Sequence, residues 1–359
     1  MLNNKKKFFF KKKVLITGHT GFKGSWLSLW MHLMGAKVLG ISKDIPTSPS
    51  HFKLANLNKL VKSNFIDIEN LEKIKKIIKD FKPDYIFHLA AQAIVKKSYS
   101  NSITTWKSNL IGTINILESL KEIKKKTIVV LITSDKVYKN IETKKGYKEN
   151  DILGGVDPYG ASKSATEIAI NSYIKSFFSS KKNKIFISTA RAGNVIGGGD
   201  WAKDRLIPDC INAFSRNKPI KIRNPNFTRP WQHVLEPLSG YLSLAEKLHR
   251  EKKKPRFSSW NFGPNKTQHA QVKKLIDLLS NFWVGDTKVF KSIKSNSKLY
   301  ETRDLYLDSF KAKRNLNWKT KWDLRKSVQM TTEWYLAEKN GLNMYEFSLK
   351  QLKDYEKEK

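Results

Sequence analysis

The chain has 359 residues, 40% of them hydrophobic, which allows a sizeable buried core in one large domain or two intimate ones. No run approaches the ~20 apolar residues that cross a bilayer, and the apolar stretch Phe8–Phe10 is too short for the core of a signal peptide. A single cysteine, Cys210, excludes an intramolecular disulfide and a cysteine-rich metal site, so no metal is expected and a cytoplasmic location fits.

The formal net charge of +36 invites a nucleic-acid reading. The lysines, however, are spread through runs such as Lys5–Lys7, Lys11–Lys13 and Lys124–Lys126 among many Asn and Ile residues, with no recognition motif beside them. Compositional bias on exposed positions is the preferred reading, with no specific nucleic-acid partner. The same field still attracts anionic small molecules.

In chain order, Lys13–Thr17 is a short β-branched run that reads as a buried parallel strand. Ser25–Met34 carries Trp26, Leu27, Leu29, Trp30 and Leu33 at helical spacing, with Gly35 to end it. Strands follow at Lys37–Ile41, Tyr85–Leu89, Thr127–Thr133 and Ile185–Ala190. Helices are expected at Leu71–Lys79, Ile111–Leu120 and from Pro158 onward. This alternation predicts an α/β fold with a doubly wound, Rossmann-type parallel sheet. Residues 1–191 would form the dinucleotide-binding domain, with some later segments returning to it. A smaller C-terminal substrate-binding lobe would span 192–345, and 346–359 would be a charged, solvated tail.

The loop Gly18-His19-Thr20-Gly21-Phe22-Lys23-Gly24 has the spacing GxxGxxG between a predicted strand and helix. Its first glycine suits a tight turn, its second a close approach to pyrophosphate, and its third close helix–strand packing. Amides at the helix start would then hold the phosphates. Asp44 falls 20 residues after Gly24, where a carboxylate accepts from a ribose hydroxyl and favours NAD over NADP; a plain turn aspartate is the alternative. Asp67-Ile68 and Leu89-Ala90-Ala91 lie at later strand ends, suited to adenine and pyrophosphate.

Tyr159 and Lys163 are four apart on a predicted helix and so share a face, where the ammonium favours the phenolate. Ser134, at the end of a predicted strand, would complete a hydroxyl–phenol–ammonium set at the sheet edge where open α/β folds bind ligands.

The segments GHTGFKG, HLAAQ, TSDKVY, PYGASK, ARAGNVIGGGDWAKDRLIPD and RPWQHVLEPLSGYL occur in this order between Lys13 and Tyr335. The set resembles the extended short-chain dehydrogenase/reductases. Within them it is similar to the NAD-dependent nucleotide-sugar 4,6-dehydratases, in particular the branch acting on CDP-glucose.

That resemblance implies a redox-neutral loss of water. Tyr159 would take the C4 hydroxyl proton, assisted by Ser134 and Lys163, and Asp135 would protonate the departing C6 hydroxyl. Lys136, where other branches carry Glu, would act as the C5 base or as a cation beside the enolate, and both roles stay open. The resemblance further implies cofactor contacts from Gly18, Thr20, Gly21, Phe22, Lys23, Gly24, Asp44, Asp67, Ile68, Leu89, Ala90, Ala91 and Ser108, together with Tyr159 and Lys163. Substrate contacts would come from Gln92, Asn194, Arg205, Leu206, Arg229 and Arg303.

Trp201 and Trp231 read as core or pocket wall. A homo-oligomer, dimer or tetramer, is implied through Ile111–Leu120 and the helix bearing Tyr159, as is a place in deoxysugar supply for surface polysaccharide such as lipopolysaccharide O-antigen. A 4-epimerase, or a dehydratase for another nucleotide, is the competing enzyme; an epimerase has no use for the Asp135–Lys136 pair. A nucleic-acid-binding protein on a Rossmann scaffold is the competitor from another class.

Overall fold

The structure, a computed structural model, describes residues 2–143, 145–222, 224–251, 258–265, 268–284, 291–292 and 302–358. Its central sheet is built from β1 Lys13–Thr17, β2 Lys37–Ser42, β3 Lys62–Phe65, β4 Tyr85–His88, β5 Thr127–Ile132, β6 Ile185–Ala192 and β7 Ser259–Phe262. The seven strands stand in the order β7-β6-β5-β4-β1-β2-β3, and every pairing is parallel. The progression reverses between β1 and β4. The loops that follow those two strands therefore diverge and open a crevice at the strands' C-terminal ends.

Among the described residues, ten α-helices have eight residues or more. They are α1 Leu2–Phe9, α2 Phe22–Leu33, α3 Leu71–Phe81, α4 Gly112–Leu120 and α5 Pro158–Tyr173, then α6 Leu206–Ser215, α7 Leu235–Arg250, α8 Val272–Phe282, α9 Leu324–Lys339 and α10 Met344–Lys357. Side chains alternate across the pleat, so the sheet feeds two cores. Val14, Ile16, Phe87 and Val130 join α2 and α7 on one face, while Leu15, Ile86, Val129 and Leu131 join α3, α4 and α5 on the other. Strands buried on both faces must be apolar throughout, which is why β5 reads TIVVLI.

The doubly wound sheet agrees with the expected fold class. The expected helix at 25–34 begins three residues earlier, at Phe22, so its first turn lies inside the glycine loop. Strand β3, KSNF, is an edge strand with no fully buried residue and no apolar pattern to announce it. β7 returns to the sheet beside β6 from beyond residue 192.

Of the expected tail 346–359, the described residues 346–358 do not form a solvated tail. Met344, Ser348, Gln351, Leu352 and Tyr355 recur at three- and four-residue spacing on α10 and are all buried. The Tyr355 hydroxyl donates to Glu236 Oε2 at 2.8 Å and reaches Ser239 Oγ at 2.9 Å, both on α7. At the other end of the chain, Lys5 Nζ donates to Ser239 O at 3.2 Å and Ser243 Oγ at 2.7 Å. Among the described residues no helix is long and apolar enough to cross a membrane.

Candidate active site

The loop after β1 closes on itself. Gly18 has φ +71°, and a Cβ there would stand 2.8 Å from Ala90 N; a Cβ on Gly24 would stand 2.0 Å from Gly18 O. No other residue fits either place. Gly21 caps α2 without a side-chain bond, which leaves the amides of the first helical turn directed into the crevice mouth. Thr20 Oγ1 donates to Asp44 O at 2.6 Å, so these two expected cofactor residues are adjacent, with the Asp44 side chain exposed.

His19, a position that no motif singles out, pins the loop. Its ring nitrogens bond Ser42 Oγ at 2.9 Å and Ser63 Oγ at 2.8 Å, on β2 and β3. Burial pushes its pKa down to about 4, so the ring is neutral near pH 7.

Along the crevice, Asp67 pairs with Lys43 at 2.8 Å, and Ser108 Oγ donates to Glu69 Oε1 at 2.9 Å beside buried Ile68. Leu89, Ala90 and Ala91 follow β4, with Ala90 N donating to Thr17 Oγ1 at 3.2 Å. The Gln92 side chain is occupied within its own loop. Its amide nitrogen donates to Ile94 O and Thr105 Oγ1 at 3.1 and 3.0 Å, and its oxygen accepts from Ile94 N at 2.7 Å. Asn109, which the sequence did not flag, bonds Gln92 N, Gln92 O and Ser162 Oγ at 2.9, 3.1 and 2.9 Å, joining this loop to α5.

Ser134, Asp135 and Lys136 form the turn after β5. Ser134 Oγ accepts from Lys136 N at 3.2 Å and donates to Asp135 Oδ1 at 3.0 Å. Asp135 is 4% exposed and its Oδ2 has no partner among the described residues. Burial raises its pKa above the usual carboxylate value, while Lys136, Ser134, Arg229 and Lys23 pull it down. Asp157 starts α5 by accepting from Tyr159 N and Gly160 N, each at 3.0 Å, with Pro158 in the first helical turn.

Burial pushes the Tyr159 phenol up to about 12, and the nearby Ser134 hydroxyl works against that rise. Lys163 Nζ donates to Ile132 O at 3.4 Å, and burial with nearby Lys23 lowers its pKa to about 8. Burial and Arg205 bring Lys23 itself down to about 8, opposed by Asp135 and Asp200. The glycine-loop lysine therefore lies in the electrostatic field of the Ser134–Lys136 turn. A small cavity opens from this turn, lined by Asp135, Lys136, Asn140, Asp157, Thr302 and Leu305.

The remaining expected contacts come from the segments after β6. Arg205 NH1 donates to Asp200 Oδ2 at 3.1 Å just before α6, of which Leu206 is the first residue. Asn194 O accepts from Gln232 N at 3.1 Å, close to the Asp135 side through Gly193. Arg229 is buried and donates to Thr228 O and Arg303 O, each at 2.9 Å. The Arg303 guanidinium, by contrast, is 70% exposed. The Arg303 carbonyl accepts from Arg229. Trp231 is core, donating from Nε1 to Ala270 O at 3.0 Å, and Trp201 packs edge-on against Tyr335 with ring centres 5.0 Å apart. Among the described residues no cluster of three His, Cys, Asp or Glu could hold a metal ion.

Comparison with known proteins finds relatives along nearly the whole chain. The family described as GDP-mannose 4,6 dehydratase matches residues 15–331. CDP-glucose 4,6-dehydratase of Salmonella typhimurium is 43% identical over 354 residues, covering 98% of both chains. dTDP-D-glucose 4,6-dehydratase of Dictyostelium discoideum is 32% identical over 68% of this chain and 58% of its own. Among solved structures, an epimerase of Methanothermobacter thermautotrophicus superposes with a TM-score of 0.80 at 22% identity, over 95% of this chain and 96% of that one. MoeE5, in complex with UDP-glucose and NAD, superposes with a TM-score of 0.76 at 20% identity, over 91% and 99%. Both structures share the fold.

Proposed function

The chain belongs to the GDP-mannose 4,6-dehydratase family, and on that footing we propose that it converts CDP-glucose to CDP-4-keto-6-deoxyglucose, with NAD as a retained cofactor. The observation that carries the reading is Asp135, buried beside Ser134 and facing the cavity with one oxygen unpartnered. An epimerase needs a base at C4 but no acid placed to expel water. The likeness to the Salmonella enzyme over nearly the whole chain supports CDP-glucose as substrate, as does Asp-Lys at 135–136.

The residues present suit NAD. The close approach of Gly18 to Ala90, the uncapped start of α2 and the exposed carboxylate of Asp44 fit a pyrophosphate and a ribose hydroxyl. Ile68, Ser108, Leu89 and Ala91 would line the rest of the crevice. When bound, NAD supplies the redox chemistry, accepting hydride from C4 and returning it to C6, so that none is consumed.

The chain's own side chains move the protons. Tyr159 takes the proton of the C4 hydroxyl, with Ser134 and Arg205 opposing the burial that raises its pKa and Lys163 on the same helix face. Asp135, whose burial favours the protonated form, gives its proton to the departing C6 hydroxyl. Lys136 lines the same cavity and is assigned to the C5 proton step. Arg205, Arg229, Asn194 and Leu206 would hold the diphosphate and sugar, since an arginine fork suits phosphate oxygens.

Exposed Ile103, Trp106, Ile111, Ile168 and Phe177, on and beside α4 and α5, support a homodimer formed across those helices. A cytoplasmic role in deoxysugar supply for surface polysaccharide completes the proposal.

The test is incubation with CDP-glucose, dTDP-glucose, UDP-glucose and GDP-mannose separately, with and without added NAD, following water loss by mass spectrometry. Loss from CDP-glucose alone is expected. Loss only from another sugar nucleotide would reassign the substrate. No loss from any, with NAD bound, would overturn dehydration in favour of an epimerase.

A further inference from the structure

One buried ion pair touches both of the elements that carry the reacting groups. Glu167 lies one helical turn beyond Lys163 on α5, and Arg191 lies on β6; both side chains are fully enclosed. Arg191 Nε donates to Glu167 Oε1 at 2.9 Å and NH2 to Oε2 at 3.0 Å, a two-point fork. The same carboxylate accepts from Thr133 Oγ1 at 2.6 Å, Thr189 Oγ1 at 3.0 Å and Ser259 Oγ at 3.2 Å. Thr133 is the residue immediately before Ser134. On its other side, Arg191 NH1 donates to the Tyr138 hydroxyl at 2.8 Å and to Glu149 O at 3.0 Å. Tyr138 lies two residues beyond Lys136, so the pair grips the Ser134–Asp135–Lys136 turn before and behind, while Glu167 belongs to the helix of Tyr159 and Lys163.

We propose that Glu167 and Arg191 are positioning residues, which set Ser134 and Asp135 on the strand tip against Tyr159 on the helix through the Thr133 hydroxyl. A carboxylate bound by four side chains in a dry site has few orientations left, and its neighbours inherit that order. Reacting groups lose rate steeply when displaced, by about a hundredfold for an ångström. An ion pair serving stability alone has no need to contact the catalytic turn on both flanks. The proposal rests on the dehydratase reading for the reaction involved, but its geometry stands apart from it.

Removing Glu167 would strand the Arg191 charge and endanger the fold, so the informative variant is Thr133→Val, which cuts one link and keeps the ion pair. Four properties are measured: kcat and KM for CDP-glucose, the melting temperature, and the ring-carbon NMR resonance of isotopically labelled Tyr159, assigned through its loss in Tyr159→Phe. Because the Ser134 hydroxyl lowers the pKa of that phenol, the resonance reports displacement of the turn without substrate.

The expected result is a kcat lowered on the order of ten- to a hundredfold, KM and melting temperature near those of the parent, a displaced Tyr159 resonance, and recovery in Thr133→Ser. An unmoved resonance overturns the proposal, whether kcat is intact or falls only in step with lost folded protein. If the parent chain itself sheds no water from CDP-glucose, the functional reading fails, and the Tyr159 resonance still decides the positioning role.

Discussion

Glu167 and Asp135 are two carboxylates buried at the same junction of strand tip and helix, and their surroundings differ completely. Glu167 accepts from Arg191, Thr133, Thr189 and Ser259. Asp135 has one oxygen on Ser134 and the other facing no donor among the described residues. A buried charge that is fully bonded behaves as scaffold, and removing either partner leaves an expensive orphan. A buried carboxyl left half-bonded stores a cost of about 1–3 kcal/mol that a ligand can relieve. The contrast separates a group that holds the site from a group that the site holds ready.

The sharpest way to break this comparison is Glu167→Ala. It should cost about 3–5 kcal/mol of stability, because Arg191 is left buried and unpaired. Urea unfolding would measure it, and a loss under about 1 kcal/mol would end the scaffold reading.

Asp135→Asn should do the reverse, lowering turnover by about a hundredfold or more while leaving stability unharmed. Its pH behaviour has a definite sign. Burial raises the folded-state pKa above the unfolded value, so the folded chain keeps a proton that the unfolded chain has released. The associated stability is full below the ordinary carboxylate value of about 4 and is lost as pH rises through the raised folded value. Asp135→Asn should flatten that decline in urea titrations repeated across the window, and an unchanged slope would count against it.

A smaller effect is expected at Arg205, whose guanidinium is paired with Asp200 at 3.1 Å before substrate arrives. Arg205→Met should raise KM about tenfold, as for loss of one charge-assisted bond to phosphate, with kcat little changed in steady-state assays. The smallest belongs to Arg303→Met. Its exposed side chain predicts less than about a twofold change in either constant, since the Arg303 carbonyl, which holds Arg229, survives the substitution.

What the sequence disclosed follows from how local each signal is. Gly18, Gly21 and Gly24 announce themselves because a tight turn and a helix start need them within one short loop. Tyr159 and Lys163 do so because a helix repeats. The doubly wound sheet was legible for the same reason, strand by strand. Glu167 and Arg191 were not, since neither spacing nor residue type says that a helix and a strand will bring them together. Asn109 joins the Gln92 loop to α5 in the same hidden way. At Arg303, likewise, only the backbone direction decides that the carbonyl holds Arg229 while the guanidinium is exposed. The charges of α10 masked its stripe of Met344, Leu352 and Tyr355, and the edge strand β3 carried no apolar pattern to be masked.

The convergence of both chain ends on α7 gives that helix a history. Lys5 is synthesised before Ser239 and can bond it once α7 emerges, whereas Trp318, which donates to Ser239 Oγ at 2.8 Å, and Tyr355 emerge later. A ribosome paused just before residue 317 therefore exposes a helix whose Glu236, buried in the finished protein, still lacks the donors from Lys321, Trp322 and Tyr355. In the cell, the nascent sheet can assemble strand by strand, but this carboxylate stays wet until the final helix has left the exit tunnel.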